Sequence, residues 1–211
     1  MKKTALLIDG GWFAKGLGDI LEIPGGWPSA QQIRNNAVSV VESDEDLFRI
    51  FYYDSDPCGQ TVFNPIVGSK LDFKTTRGFV ARRQFLFELG QLPFLALRRG
   101  EAVARGWEFT EAYKALLMKG GAQNPPQPRD VFPSIQQKGV DMRIGMDVAT
   151  LALKKLVERI ILFSGDTDMI PAMKLARREG LQVFVTKLDP WPLKHNLIED
   201  SDGVRVLTPK P

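Results

Sequence analysis

Five aspartates stand where they could share an ion. Asp141, Asp147, Asp166 and Asp168 fall within one helix–strand–helix stretch, residues 140–168, and Asp9 follows the apolar run Ala5-Leu6-Leu7-Ile8. The run Ile160-Ile161-Leu162-Phe163 is short and apolar, and β-branched at its start, as a strand buried on both faces of a parallel sheet should be. Ser164-Gly165 ends it, so Asp166 sits just past the carboxyl end of a strand, and Asp9 is placed the same way. In open α/β sheets that rim is where ligands bind. Carboxylates converging there repel one another, and some take up protons unless a cation intervenes. Mg²⁺ and Mn²⁺ favour oxygen ligands and keep several waters. Held by such acids, they polarise a phosphoryl oxygen and lower the pKa of a water nucleophile. Two of them clamp both the attacking and the leaving oxygen.

Other site chemistries fit these residues less well. His195 is the only histidine and Cys58 the only cysteine, so there is no zinc set and only one base for a Ser-His-Asp triad. No Gly-x-x-x-x-Gly-Lys-Ser/Thr loop is present, and Gly16-Leu17-Gly18 lacks the third glycine and the directly preceding strand of a dinucleotide fingerprint. An aspartyl-phosphate enzyme of the dehalogenase type would carry a second Asp two residues after Asp9, where Gly11 stands. Metal-assisted hydrolysis of a phosphodiester remains.

The elements that must position these acids alternate along the chain. Strands are expected at 4–8, 47–53, 160–163, 182–186 and 204–207. Helices are expected after Ser29, with Gln32 completing a capping box, and at 79–89, 111–119, 169–179 and 190–198. In the helix before Arg159, Ile144, Val148, Leu151 and Ala152 recur at i, i+4, i+7 and i+8 and make its core face. This alternation predicts an α/β fold, a three-layer α/β/α sandwich with a mostly parallel central sheet. The stretch 95–109 reads as strand, either continuous or as a β-hairpin embellishment turning near Arg99-Gly100. Residues 120–133 hold two glycines and four prolines and read as a long loop, a lid or a connector. The whole chain, 1–211, reads as one domain, with an insertion or cover segment around 54–133.

Composition sets wider bounds. The 211 residues are 44% apolar and 25% charged, ordinary for a globular protein. A net charge of +3 is weak support for an anionic partner. With one cysteine there is no internal disulfide, and a reducing, cytoplasmic setting is expected. Lys2-Lys3 imitates the start of a signal peptide, but the apolar run breaks at Asp9, far too early. No run approaches a membrane span, so no membrane partner is expected. A homo-oligomer is compatible with the sequence.

Each candidate also has a plainer reading. Asp9 could form a turn, and Asp141 and Asp168 could be N-caps. Asp147, in mid-helix, is costly if buried alone, so a functional or ion-paired role is expected. Asp54 and Asp56 follow the second strand, again past a strand end; they could sit near the rim, although Asp side chains there more often stabilise turns. Trp12 either packs on the core or stacks on a base. Lys138 and Arg143 flank the acids and could meet phosphates or simply be solvated. Arg98, Arg99 and Arg105 make their segment basic. Ser164 could hold a phosphate or satisfy local backbone.

Ile8-Asp9-Gly10, Lys138-Gly139-Val140-Asp141, Met146-Asp147 and Ser164-Gly165-Asp166-Thr167-Asp168 followed by Ile170-Pro171 together resemble the NYN domain, the LabA-like branch of the PIN-like nuclease superfamily. Leu197 and Asp202 resemble its C-terminal Leu…Asp pattern. The resemblance is strong over 138–186, clear at 4–11 and weak across 54–133. It implies a parallel-sheet α/β/α sandwich with acids at one rim, and Mg²⁺- or Mn²⁺-dependent cleavage of RNA, single-stranded RNA being the expected partner. It implies that Asp9, Asp141, Asp166 and Asp168 bind metal and that these four with Asp147 are the catalytic acids. Asp141 and Asp147 lie about 120° apart on an ideal helix, so Asp141 is expected to precede the helix proper. Many relatives carry Asn after the first Asp-Gly, where Gly11-Trp12 stand here. That departure supports a rival, a catalytically inactive RNA-binding or regulatory module of the same fold.

Overall fold

A computed structural model of the chain describes residues 1–120 and 125–211. In chain order the elements are β1 (Lys2–Asp9), α1 (Gly10–Ile20), α2 (Ala30–Val38), β2 (Glu45–Ser55), β3 (Thr61–Asn64), β4 (Ser69–Asp72), α3 (Arg77–Gly90), β5 (Leu95–Phe109), α4 (Glu111–Met118), β6 (Val131–Lys138), α5 (Val140–Leu153), β7 (Arg159–Phe163), α6 (Ile170–Arg178), β8 (Gln182–Leu188), α7 (His195–Glu199) and β9 (Gly203–Leu207). The chain divides into two compact units. The first comprises Met1–Ser55, Gln84–Gly100 and Gly139–Pro211, and the second Asp56–Arg83 and Glu101–Lys138. Part of the long loop expected at 120–133, residues 121–124, lies outside the described residues. Pro128–Asp130 form a 3₁₀ turn and β6 begins at Val131.

In the first unit, β1 pairs in parallel with β2 on one side and β7 on the other. β8 pairs in parallel with β7 and β9 with β8, and β2 pairs in parallel with the first part of β5. With β6, the hydrogen-bonded order is β6-β5-β2-β1-β7-β8-β9, a mostly parallel seven-stranded sheet flanked by helices. The period of two along β1 shows why both faces are covered. Ala5 and Leu7 join a core with Ile144, Val148 and Leu151 of α5 and Met173 of α6. Leu6 and Ile8 join another with Phe13 and Leu17 of α1, Ile33 of α2 and Phe85, Leu86 and Leu89 of α3. Ser29 and Gln32 form the capping box of α2. Gly10 must be a glycine, because a Cβ there would lie 2.5 Å from the buried Tyr52 ring. At the amino ends of the strands, Arg159 and Arg205 both pair with the carboxylate of Glu45, whose side chain is fully buried.

The second unit is built on β-ribbons. β3 and β4 form an antiparallel hairpin, and β5 from Glu101 onward pairs antiparallel with β6. The Trp107 indole donates to the Phe63 carbonyl at 2.8 Å, and the Phe109 and Tyr113 rings lie 4.9 Å apart.

The strand expected over 95–109 is present as one fifteen-residue strand, and the alternative of a hairpin turn at Arg99-Gly100 is corrected. Arg99 is in register with Asp54 and Gly100 with Ser55, so the backbone there is committed to an extended ladder. The strand then changes partner and pairs with β6 from Glu101. Within the segment read as an insertion or cover, Thr61–Asn64 form the strand β3. No helix among the described residues is long and apolar enough to cross a membrane.

Candidate active site

β1 and β7 are neighbours, with Ile8 in register with Phe163. Their parallel direction therefore delivers Asp9 and the Ser164–Asp168 turn to the same end of the sheet. β2 lies on the other side of β1, with Tyr53 opposite Asp9. Asp54 is next in line and only 2% exposed. α5 enters from Gly139, whose left-handed backbone (φ 74°) makes the N-cap. Asp141 thus sits inside the first turn of α5, which corrects the expectation that it precedes the helix.

Asp9 caps α1, its carboxylate accepting from the Trp12 backbone N–H at 3.2 Å. Burial pushes the Asp9 carboxyl up to about 6. The Trp12 hydrogen bond opposes this, and the charges of Asp141 and Asp54 add to it. Burial also raises Asp141, and next the charges of Asp166 and Asp168. Asp9 thus feels the charges of Asp141 and Asp54, and Asp141 those of Asp166 and Asp168, which links the acidic group at this rim pair by pair. Asp166, and not Asp168, is the cap of the following turn. Its carboxylate accepts from the Asp168 N–H at 3.0 Å, and its own N–H donates to the Ser164 hydroxyl at 3.1 Å. The expected Asp168 cap is corrected accordingly: a 3₁₀ turn, Thr167–Met169, precedes α6, and the carboxylate of exposed Asp168 is left out of it.

Asp147 has other company. Its Oδ2 accepts from Tyr53 Oη at 2.9 Å and from Arg98 Nε at 2.7 Å. The ~120° separation on α5 gives Asp141 and Asp147 different neighbours. The Arg98 guanidinium also lies over the Phe51 ring, 4.9 Å from its centroid. Loss of either donor leaves Asp147 short of a partner. Tyr53→Phe and Arg98→Ala should each lower stability in urea unfolding by ~1–2 kcal/mol, and the double variant by less than the total of the two.

The other residues singled out for nucleic acid are placed as follows. Ser164 is fully buried, its hydroxyl used by the Asp166 backbone. The Trp12 indole presses on Gly165, where a Cβ would lie 2.6 Å from Nε1. Arg143 Nε donates to the Arg99 carbonyl at 3.0 Å. Lys138 ends β6 and belongs to the second unit. Asp54 is an acid whose place the sequence left open between the rim and a turn. Its sequence signal, an acid just past an apolar strand, was the same as that of Asp9.

Among the described residues no three His, Cys, Asp or Glu side chains are gathered closely enough to ligate one ion as they stand. The donor set nevertheless suits a hard cation. It is all carboxylate oxygen, and Mg²⁺ is commonly held by one or two carboxylates with waters completing the shell.

A parallel-sheet sandwich with acids at the carboxyl ends of its strands is consistent with a PIN-like fold. The NYN domain family model matches residues 109–203, bearing out the resemblance, and the NYN family belongs to the PIN-like superfamily. NYN proteins are generally nucleases, and PIN-like nucleases typically use divalent metals. A 55-residue stretch is 34% identical to Uncharacterized protein y4oD of Sinorhizobium fredii, covering 26% of each chain. The matched region is thus about a quarter of that relative's length. The fold is similar to the crystal structure of a protein of unknown function from Vibrio parahaemolyticus, with TM-score 0.52 and 16% identity. That match covers 98% of this chain and 93% of the other. At that identity the likeness is one of fold.

Proposed function

We propose that this chain is a divalent-metal-dependent ribonuclease, hydrolysing RNA phosphodiester bonds at the rim formed by Asp9, Asp54, Asp141, Asp166 and Asp168. The observation that carries this reading is the linked elevation of Asp9 and Asp141. Burial raises both carboxyls first and the charges of neighbouring acids add to it, so a hard cation such as Mg²⁺ or Mn²⁺ at this strand-end rim would relieve both costs. Bound there, the ion would supply charge neutralisation at the phosphate and a more acidic water. Asp9 and Asp166 are fixed by their own capping hydrogen bonds, so each presents its remaining oxygen with little freedom. Asp168 and Asp141, both exposed, close the rim toward solvent. Asp147 serves as a positioning residue, anchoring α5 to β2 and β5 through Tyr53 and Arg98.

The rival, an RNA-binding module without turnover, is favoured by Gly11-Trp12 in place of the family's Asn and by the open spacing of the acids. Incubating a labelled single-stranded RNA with the chain and Mn²⁺, with and without EDTA, separates them. Ribonuclease action predicts metal-dependent shortening of the strand, whereas binding with an intact strand across several RNAs supports the rival.

A further inference from the structure

The positive charge of this chain is unevenly held. The second unit carries ten Lys and Arg against six Asp and Glu, a formal +4, while the rest of the chain, with 18 against 19, is at −1. Within it, residues 70–83 contain Lys70, Lys74, Arg77, Arg82 and Arg83 and a single acid, Asp72. The Asp72 carboxylate is engaged by the Lys74 backbone N–H at 3.0 Å. Lys70, Lys74, Arg77 and Arg83 are all exposed.

Aromatic rings are interleaved with these cations. Phe63, 57% exposed, stands directly opposite Lys70 across the β3–β4 hairpin, so the two side chains share a face. The ladder continues past the hairpin, with the Phe73 N–H donating to the Gln60 carbonyl at 3.2 Å. That brings Lys74 alongside Gly59, where a Cβ would lie 3.1 Å from Lys74 Cε and 3.6 Å from the Phe79 ring. The Arg83 guanidinium lies 5.8 Å from the centroid of that ring.

We infer that the hairpin and the first turns of α3 bind single-stranded RNA, with Lys70, Lys74, Arg77 and Arg83 meeting phosphates and Phe63 stacking on a base. The inference rests on the ribonuclease reading for the identity of the polyanion. The supporting physics is general: a single-sign patch attracts a polyanion, and single strands are held by cations along the backbone with aromatic faces beneath the bases. The Arg98–Arg105 segment is a poorer platform, because Arg98 is already paired with Asp147.

The test uses the full chain in EDTA, so that binding is read without hydrolysis. Fluorescence anisotropy follows a labelled oligouridine over a range of NaCl concentrations. Four phosphate contacts on a single strand give a slope of log K against log[salt] of about −3. A Lys70→Gln, Lys74→Gln, Arg83→Gln variant should lose about 2 of that slope and bind roughly tenfold or more weakly at moderate salt. Phe63→Ala should weaken binding about tenfold with the slope unchanged. A control removing the same charge from the first unit (Lys154→Gln, Lys155→Gln, Arg178→Gln) should bind like wild type. If the triple variant does not fold, Lys70→Gln alone, at an exposed strand position, should still cost about 0.7 of slope. Equal losses in the control and the triple variant, an unchanged slope, or binding of anionic vesicles in place of RNA would overturn the inference. A chain that cleaves RNA with Mn²⁺ yet ignores these substitutions refutes this inference alone. A chain that binds through the patch and never cleaves refutes the ribonuclease reading alone.

Discussion

Asp166→Asn should reduce Mn²⁺-dependent cleavage of single-stranded RNA by at least ~10²-fold, since even a group one shell removed from a metal is worth 10–100-fold. The substitution is chosen because it spares the fold. Asp166 Oδ1 accepts from the Asp168 N–H, and an Asn carbonyl oxygen accepts equally well at that position. Thermal unfolding should therefore stay near wild type while turnover is lost. Cleavage that persists would mean that Asp166 does not take part, or that the activity belongs to another protein in the preparation.

Asp9→Asn should have opposite effects on stability and on metal binding. Folded Asp9 holds its proton up to about pH 6, whereas the ordinary value is 3.8. Between those pH values the folded chain binds more protons than the unfolded one. Stability conferred by this group is thus full below about pH 4, falls as pH rises through 6, and is flat above it. Neutral Asn escapes that loss while its carbonyl keeps the Trp12 cap, so at pH 7 the variant should gain ~1–3 kcal/mol in urea unfolding. It should also lose divalent-metal affinity. In the wild type, Mn²⁺ must displace the Asp9 proton at low pH, so affinity should rise about tenfold per unit between pH 5 and 6 and level off above 7. Asp9→Asn should flatten that profile. Such a trade of stability for a working site is common where charges are crowded for function.

Much of this arrangement was legible in the sequence, for local reasons. The core face of α5 is written in the spacing of Ile144, Val148, Leu151 and Ala152, and the cap of α2 in Ser29 and Gln32. Asp9 and Asp166 were legible as strand-end acids because Ala5–Ile8 and Ile160–Phe163 read as buried strands without help from elsewhere. What stayed hidden depended on partners distant in the chain. Asp54 joins the group only because β2 lies beside β1, and strand order is not a local property. β5 was legible as strand, with a hairpin left open because Arg99-Gly100 resembles a turn; its exchange of β2 for β6 as partner at that point has no local signature. β6, with Pro133 and an alternation of polar residues, reads as loop until a neighbouring strand is supplied. Asp168 was the cap candidate, and the 3₁₀ turn Thr167–Met169 gives that place to Asp166 instead. Asp147 was expected to be functional or ion-paired, and its pairing with Arg98 and Tyr53 required knowing that α5 packs over β2 and β5.

The most direct test is a Mn²⁺ titration at pH 7.5, with the free-ion electron paramagnetic resonance signal as readout, on wild type, Asp9→Asn and Asp166→Asn. A shared carboxylate site predicts one or two ions sequestered per chain, with the tight site lost in both variants. Wild type that leaves the free-ion signal undiminished, or variants that sequester as much Mn²⁺ as wild type, would contradict it.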